Sequence, residues 1–184
     1  MLGRVINVAK SVDSRSGHGA VEGGQVAVAE GRVLGPEEGK RIPFPIPGAS
    51  IVIKASGQRA PGDHDLIEIS LEPGSAGTPS PHVHRKHEEL FYVVEGQFGF
   101  LVGDRQFPQL GPGSFIHVPP GVVHDFRQSG SVRSRFLLVT CPAGLDRYFE
   151  EMGTLYSEGK FSEAALHELR LKHDTDEVDV SWGR

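Results

Sequence analysis

The chain has 184 residues, of which 38% are hydrophobic, with a formal net charge of −5 and one cysteine, Cys141. This length allows one well-buried domain with terminal extensions and excludes two full-sized domains. The acidic balance, without a basic stripe, argues against a nucleic-acid partner, and a single cysteine excludes an internal disulfide framework.

The N-terminal region is irregular in composition. Residues 1–10 are too short and too polar for a signal peptide, and no run of about 18 apolar residues occurs, so we expect a cytoplasmic protein that does not cross a membrane. Residues 1–47 are predicted to form an arm. Its proline-rich stretch, 43–47, cannot lie in the centre of a sheet, whereas residues 26–28 and 33–34 are candidate edge strands.

Residues 48–142 contain regularly spaced turn residues, as all-β domains do. Glycine and proline, which number 24 and 13 in the chain, recur here at the spacing of about 8–12 residues that is typical of a sandwich or barrel. We predict strands at residues 50–55, 64–71, 80–84, 89–95, 97–102, 115–118, 124–128 and 132–140. Gly96 is predicted to lie in a tight hairpin.

Helical spacing of apolar residues occurs near the C-terminus. The candidate helices are residues 145–152 and 163–173, and Ser162 is a plausible N-cap for the second. Residues 143–184 are therefore predicted to be a short helical tail.

A cluster of histidine and glutamate side chains gives the functional signal. In a strand, residues i and i+2 point to the same face, so His82 and His84 present both imidazoles to one side. Residues 85–87 fit a short turn, after which Glu89 opens a β-rich run that can fold back to the same spot. With His124, these side chains form a mixed nitrogen and oxygen site suited to a divalent transition metal.

Two segments around these residues resemble the two motifs of the cupin superfamily. The first motif, Gly-x5-His-x-His-x3-4-Glu-x6-Gly, is matched by His82, His84, Glu89 and Gly96. Its leading glycine is one position away, at Gly77.

The second cupin motif, Gly-x5-Pro-x-Gly-x2-His-x3-Asn, is matched by Gly113, Pro119, Gly121 and His124. Gln128 replaces the closing asparagine, which is not a ligand position. The tail from residue 140 to 153 also resembles single-barrel cupins related to quercetin dioxygenases.

The resemblance implies an all-β cupin barrel, a jelly-roll-like double sheet, with short C-terminal helices. It implies a divalent metal bound by the four residues that we name the His/Glu cluster: His82, His84, Glu89 and His124. Iron, manganese, nickel or cobalt would keep a coordination position open for chemistry, while zinc and copper are also candidates. Phenylalanines are expected to line the barrel, whichever of them face inward: Phe91, Phe98, Phe100, Phe115, Phe126 and Phe136.

Three functions follow from this site. The leading prediction is a dioxygenase acting on a small aromatic or enolic, flavonol-like metabolite, in which Glu89 takes the substrate proton. The alternative enzyme is a metal-dependent cyclase or isomerase of a polyketide-like or 1,3-dicarbonyl substrate, with Glu89 or His117 moving protons. The third function is a small-molecule-binding cupin without turnover, which a pocket filled by side chains would favour.

Two histidines and the oligomeric state complete the predictions. His87 could compete with Glu89, because His84-x-x-His87 is also a metal-type spacing. His117 is left open between a packed and a substrate-facing role, and four further histidines are expected to be solvated: His18, His64, His167 and His173. We expect the protein to form a homodimer and to bind a small-molecule substrate.

Overall fold

Two antiparallel sheets form the body of the protein. The computed structural model describes residues 31–36, 38–57, 63–75 and 80–182. Its strands are β1 (Lys40–Ile42), β2 (Ala49–Ala55), β3 (Asp65–Leu71), β4 (His82–Val83), β5 (Glu88–Glu95), β6 (Phe98–Val102), β7 (Arg105–Leu110), β8 (Phe115–Val118), β9 (His124–Gln128), β10 (Ser134–Cys141) and β11 (Asp176–Glu177). The helices are α1 (Leu145–Ser157) and α2 (Glu163–Lys172).

The strands are arranged as a jelly-roll-like double sheet. One sheet has the order β1-β2-β3-β10-β5-β8, and the other has the order β11-β4-β9-β6-β7. Sequence-distant strands are neighbours in both sheets, as β10 lies between β3 and β5. All pairs are antiparallel, so the prediction of an all-β double sheet with C-terminal helices is confirmed.

Phenylalanine rings pack against one another between the two sheets. Phe136 of β10 lies 4.9 Å from the ring centroids of Phe98 in β6 and Phe126 in β9. Phe91 of β5 packs edge-to-face on Phe100 at 5.2 Å. Such edge-to-face pairs add about 0.5–1.5 kcal/mol each beyond the area they bury, so this aromatic core fixes the spacing of the two sheets.

Phe115 does not belong to this core. It is 62% exposed and lies opposite Tyr92, itself 49% exposed, on the outer face of β8 and β5. Phe115 is therefore not one of the phenylalanines that face inward. The alternation along β8 explains this, because Ile116 and Val118 take the inward positions.

The predicted strands lie within two residues of observed strands at most positions, but three strands were not predicted. β7 contains Pro108 and is an edge strand, which is where a sheet tolerates proline. β1 lies at the edge of the other sheet and pairs with β2 through Arg41 and Val52. β11 has only two residues. Of the predicted edge strands, residues 33–34 are not in a strand and residues 26–28 lie outside the described residues.

The two helices begin in different ways. Ser162 caps α2, since its side chain accepts a hydrogen bond from the Ala165 amide, as predicted. α1 begins after Gly144, which offers no side chain. The buried carboxylate of Asp65 in β3 accepts hydrogen bonds from the Gly144 and Asp146 amides at 2.7 and 3.2 Å. A carboxylate from a strand distant in sequence therefore accepts hydrogen bonds from the free backbone amides at the N-terminus of α1.

Among the described residues, neither helix is long and apolar enough to cross a membrane.

Candidate metal centre

Three strands bring the predicted His/Glu cluster together on the inner faces of the sheets. β4 carries His82 and leads directly to His84, β5 carries Glu89, and β9 begins at His124. β4 and β9 are paired at His82 and His124, which places these two imidazoles side by side. All four side chains are buried, and their ligand atoms lie within 4.8 Å of one another.

The three imidazoles are oriented by backbone carbonyls. The Nδ1 atom of His82 lies 2.8 Å from the Ser80 carbonyl oxygen, and that of His124 lies 3.1 Å from the Val122 carbonyl oxygen. His84 Nδ1 lies 2.8 Å from the carbonyl oxygen of Asp174. A carbonyl oxygen only accepts hydrogen bonds, so Nδ1 donates in each ring. The Nε2 lone pairs are therefore available inside the cluster, as in metal-binding histidines.

The carboxylate of Glu89 faces two of these nitrogens. Its Oε2 lies 2.6 Å from His124 Nε2, and its Oε1 lies 3.6 Å from His84 Nε2. Within the described part of the chain, the buried Nε2 atoms of His84 and His124 make no hydrogen bond of ordinary geometry. Ligand atoms that surround one metal ion lie close together but point at the ion and not at each other. An unsatisfied buried nitrogen is therefore explained by such a site.

Burial and mutual charge separate the pKa values of the cluster. Burial, reinforced by His124, lowers the pKa of His82 from 6.5 to about 3. Burial would raise the pKa of Glu89, but its contacts with His124 and the charge of His84 outweigh that effect and lower the pKa to about 2. The same carboxylate raises the pKa of His124 against the effect of burial. At neutral pH, Glu89 is thus ionised and His82 is neutral.

These residues fit a divalent transition metal. Nitrogen and oxygen ligands lie about 2.0–2.2 Å from zinc and similar ions, so two ligands of one ion are about 3–4 Å apart, close to the separations found here. The orphaned buried Nε2 atoms, the ionised carboxylate and the imidazoles fixed at Nδ1 all match the needs of such an ion. The His/Glu cluster could hold one divalent ion.

The remaining histidines lie outside this cluster. His87 stacks on His84 with 4.2 Å between ring centroids, and burial lowers its pKa to about 4, but Glu89 rather than His87 takes the place in the cluster. His117 is neither packed nor substrate-facing, because it lies on the exposed face of β8 and contacts Glu88 at 2.7 Å.

The expectation of solvated histidines holds for two of the three that the structure describes, and His18 lies outside the described residues. His64 and His167 are exposed. His173 is half-buried, with its Nε2 3.2 Å from Glu151 and its ring 6.0 Å from that of Tyr148, so the expectation is wrong there. The turn after α2 folds onto α1 and covers this ring, which the local sequence does not reveal.

A cavity of about 480 Å³ opens beside the cluster. His82, His84 and Glu89 form its polar end. Most of the lining is apolar and comes from both the sheets and the helices: Phe44, Ile46, Ile51, Ile69, Leu71, Phe91, Phe126, Leu138, Leu145, Phe149, Met152, Phe161 and Leu166. The cavity can accommodate a small, largely apolar molecule next to the cluster.

The helical tail supplies a second group of polar side chains to this cavity. Tyr148 of α1 and Arg170 of α2 line it, and Arg170 also forms an ion pair with Glu177 of β11. Burial raises the pKa of the Tyr148 hydroxyl, and the neighbouring Arg170 partly offsets the shift. Neither residue was predicted from the sequence, because α2 shows only helical spacing and no ligand-type motif.

Comparison with known proteins agrees with this fold and cluster. The family model described as a cupin domain matches residues 67–140, which include the whole His/Glu cluster. The chain is 34% identical over 118 residues to quercetin 2,3-dioxygenase of Bacillus subtilis, covering 64% of this chain and 34% of that protein. It is 28% identical over 88 residues to a glucose-6-phosphate isomerase of Thermococcus kodakarensis, covering 42% of this chain and 47% of that protein. The chain thus spans less than half the length of these two relatives.

Solved structures share the architecture at lower identity. The polyketide cyclase RemF from Streptomyces resistomycificus superposes with a TM-score of 0.51 at 23% identity, covering 61% of this chain and 80% of that one. An RmlC-like cupin from Shewanella frigidimarina gives a TM-score of 0.51 at 22% identity, covering 64% and 96%. Residues 67–140 therefore match the cupin domain, and the residues that the structure describes have the double-sheet fold of a cupin barrel.

Proposed function

We propose that this protein is a metal-dependent cupin enzyme, and that it is a dioxygenase acting on a small aromatic or enolic, flavonol-like metabolite. The observation that carries the proposal is the apolar cavity of about 480 Å³ that ends at the His/Glu cluster. The identity of 34% with a quercetin 2,3-dioxygenase supports the reaction class. The native ion is proposed to be iron, manganese, nickel or cobalt, with zinc and copper as further candidates.

The cavity has the size and chemistry for one small planar molecule. Ligand sites commonly enclose about 300–1,000 Å³ and are mainly apolar with a few placed polar groups. Aromatic side chains on opposite elements, such as Phe91 of β5 and Phe149 of α1, line the space in which a flat ring would lie. The substrate's enolic or phenolic oxygen would then point to the polar end. A divalent ion held there would act as a Lewis acid toward that oxygen.

Glu89 is the residue proposed to move the proton. It is fully buried at the polar end of the cavity and ionised at neutral pH, since its pKa is lowered to about 2. Its two oxygens differ in surroundings, because Oε2 is 2.6 Å from His124 whereas Oε1 is 3.6 Å from His84. Oε1 is therefore the freer acceptor for a substrate hydroxyl proton.

A Glu89→Gln variant tests this role, because glutamine keeps the shape but cannot accept the proton as a carboxylate does. We expect turnover of quercetin, followed as oxygen uptake, to fall by about 100-fold or more. The matched control is Glu88→Gln, which changes the same charge on the outer face of the same strand, where Glu88 contacts the surface-exposed His117. Full turnover and normal metal content in Glu89→Gln would contradict the assignment.

The alternative proposal is a metal-dependent cyclase or isomerase of a polyketide-like or 1,3-dicarbonyl substrate. The 28% identical relative, an isomerase, favours it. The proton would again move through Glu89, since His117 lies on the outer face of its sheet. This reaction consumes no oxygen. An oxygen electrode with a panel of flavonols and 1,3-dicarbonyl compounds separates the two enzymes, because product formation without uptake supports only the alternative.

A binding protein without turnover is the weaker candidate. That function was expected to go with a barrel filled by side chains, and the cavity beside the cluster gives room for a substrate instead. The homodimer is also a proposal, for which Phe115 and Tyr92 offer an exposed aromatic pair on one sheet face. The cytoplasmic location stays a prediction.

A further inference from the structure

The three histidines of the His/Glu cluster are not held in the same way. His82 and His124 each use the carbonyl oxygen of the residue two positions earlier, in Ser80 and Val122. Local chain geometry is therefore enough to orient them. His84 instead depends on the carbonyl oxygen of Asp174, which is 90 residues away in the turn between α2 and β11.

The side chain of Asp174 acts on the same region. Its Oδ2 accepts hydrogen bonds from the backbone amides of Arg85 and Lys86, at 2.8 and 2.7 Å. These two residues form the turn that connects His84 to β5 and hence to Glu89. Asp174 thus contacts both the ring of His84 and the turn that joins His84 to Glu89.

The turn that contains Asp174 is itself tightly held. Asp174 has a φ of 56°, the left-handed region, and is the only non-glycine residue with positive φ in the described part of the chain. The Thr175 amide donates to the Arg170 carbonyl oxygen at 2.9 Å, which closes the end of α2. After the turn, β11 pairs with β4, and the Val178 amide donates to the Pro81 carbonyl oxygen at 2.8 Å.

We propose that Asp174 is a positioning residue for the metal centre: its carbonyl oxygen sets the tautomer and orientation of His84, and its carboxylate fixes the turn between His84 and Glu89. The proposal rests on the proposed metal-binding role of the cluster. It makes the C-terminal tail a functional part of the centre and not only a wall of the cavity. Backbone and side-chain partners that orient ligating histidines commonly contribute about 10–100-fold to metal affinity.

The matched variants are Asp174→Gly, Asp174→Asn and Asp179→Gly. Glycine keeps the left-handed backbone but removes the carboxylate, whereas asparagine tolerates the same backbone and retains an acceptor oxygen. Asp179 is exposed in the same segment and serves as the control. The first measurement is Co²⁺ affinity of chelator-stripped protein by competition, with circular dichroism to establish that each variant is folded.

We expect Asp174→Gly to bind Co²⁺ about 10-fold or more weakly, Asp174→Asn to recover most of the affinity and Asp179→Gly to match the wild type. Wild-type affinity in a folded Asp174→Gly variant would overturn the proposal. The second measurement is nitrogen-15 NMR of the histidine rings in metal-free wild-type protein, where His84 should carry its proton on Nδ1.

An Nε2–H tautomer of His84 in the metal-free wild type would also overturn the proposal, whether or not any variant folds. The NMR result distinguishes this proposal from the proposed function. If the wild type fails to bind Co²⁺ but His84 is the Nδ1–H tautomer, the orienting role of the Asp174 carbonyl oxygen stands and the metal centre fails.

Discussion

The pH dependence of stability offers a quantitative test of how the His/Glu cluster is built. Burial lowers the pKa of His82 from 6.5 to about 3 in the folded protein. Between these values the unfolded chain binds the proton and the folded protein does not. The contribution of His82 to stability is therefore complete above about pH 6.5 and is lost progressively as the pH falls toward 3.

The magnitude at a convenient pH follows from the size of the shift. Each pH unit below 6.5 costs about 1.4 kcal/mol in unfolding free energy, so at pH 5 His82 alone should lower the stability of metal-free protein by about 2 kcal/mol. The His82→Gln variant lacks this titration. We expect the wild type to lose about 2 kcal/mol more than this variant between pH 7 and pH 5.

The assay is urea unfolding of chelator-treated protein at pH 7 and pH 5, followed by circular dichroism. The control is His64→Gln, which makes the same substitution at an exposed histidine outside the cluster. Equal losses of stability in the wild type and in His82→Gln would refute the reasoning, since they would mean that His82 is solvated or protonated in the folded protein.

Further predictions concern the cluster, the hairpin, the tail and the assembly. Because His82 is already neutral, metal binding at pH 6 should release at most two protons, measured by calorimetry in buffers of different ionisation enthalpy; release of three would contradict the structure. Gly96→Ala should cost more than about 2 kcal/mol in urea unfolding, because φ is 69° and the new Cβ would lie 2.5 Å from a carbonyl oxygen; an unchanged midpoint would show that the hairpin is built otherwise. Trp182→Phe removes the hydrogen bond to Asp125 and should cost about 1–3 kcal/mol by the same assay, whereas no loss would place the indole outside this contact. Light scattering should give a dimer mass for the wild type and a monomer for Phe115→Glu, and a monomeric wild type would contradict the proposed assembly.

The fold class could be predicted from the sequence because its signals are local. Strand length, alternation and the turn glycines are short-range properties, so β5 and β10 lie close to their predicted positions. β7 was missed because Pro108 and the lack of apolar alternation conceal an edge strand. The His/Glu cluster could be predicted because its four members belong to two recognisable motifs.

Other parts of the site depend on contacts that no local pattern encodes. Asp174 reaches His84 across 90 residues, and Arg170 of α2, a helix that packs against α1, lines the cavity. The outward orientation of the His117 side chain could have been predicted from the sequence. Ile116 and Val118 lie on the inner face of β8, so the histidine between them faces outward.

Elemental analysis tests whether the His/Glu cluster binds a transition metal. The protein is purified anaerobically beside a His124→Ala variant, and the transition-metal content of both is measured by elemental analysis. We expect about one divalent transition-metal ion per chain in the wild type and a large loss in the variant, because His124 is one of the four proposed ligands. Equal metal content in the two folded proteins, or a wild type that binds no transition metal even when reloaded, would contradict it.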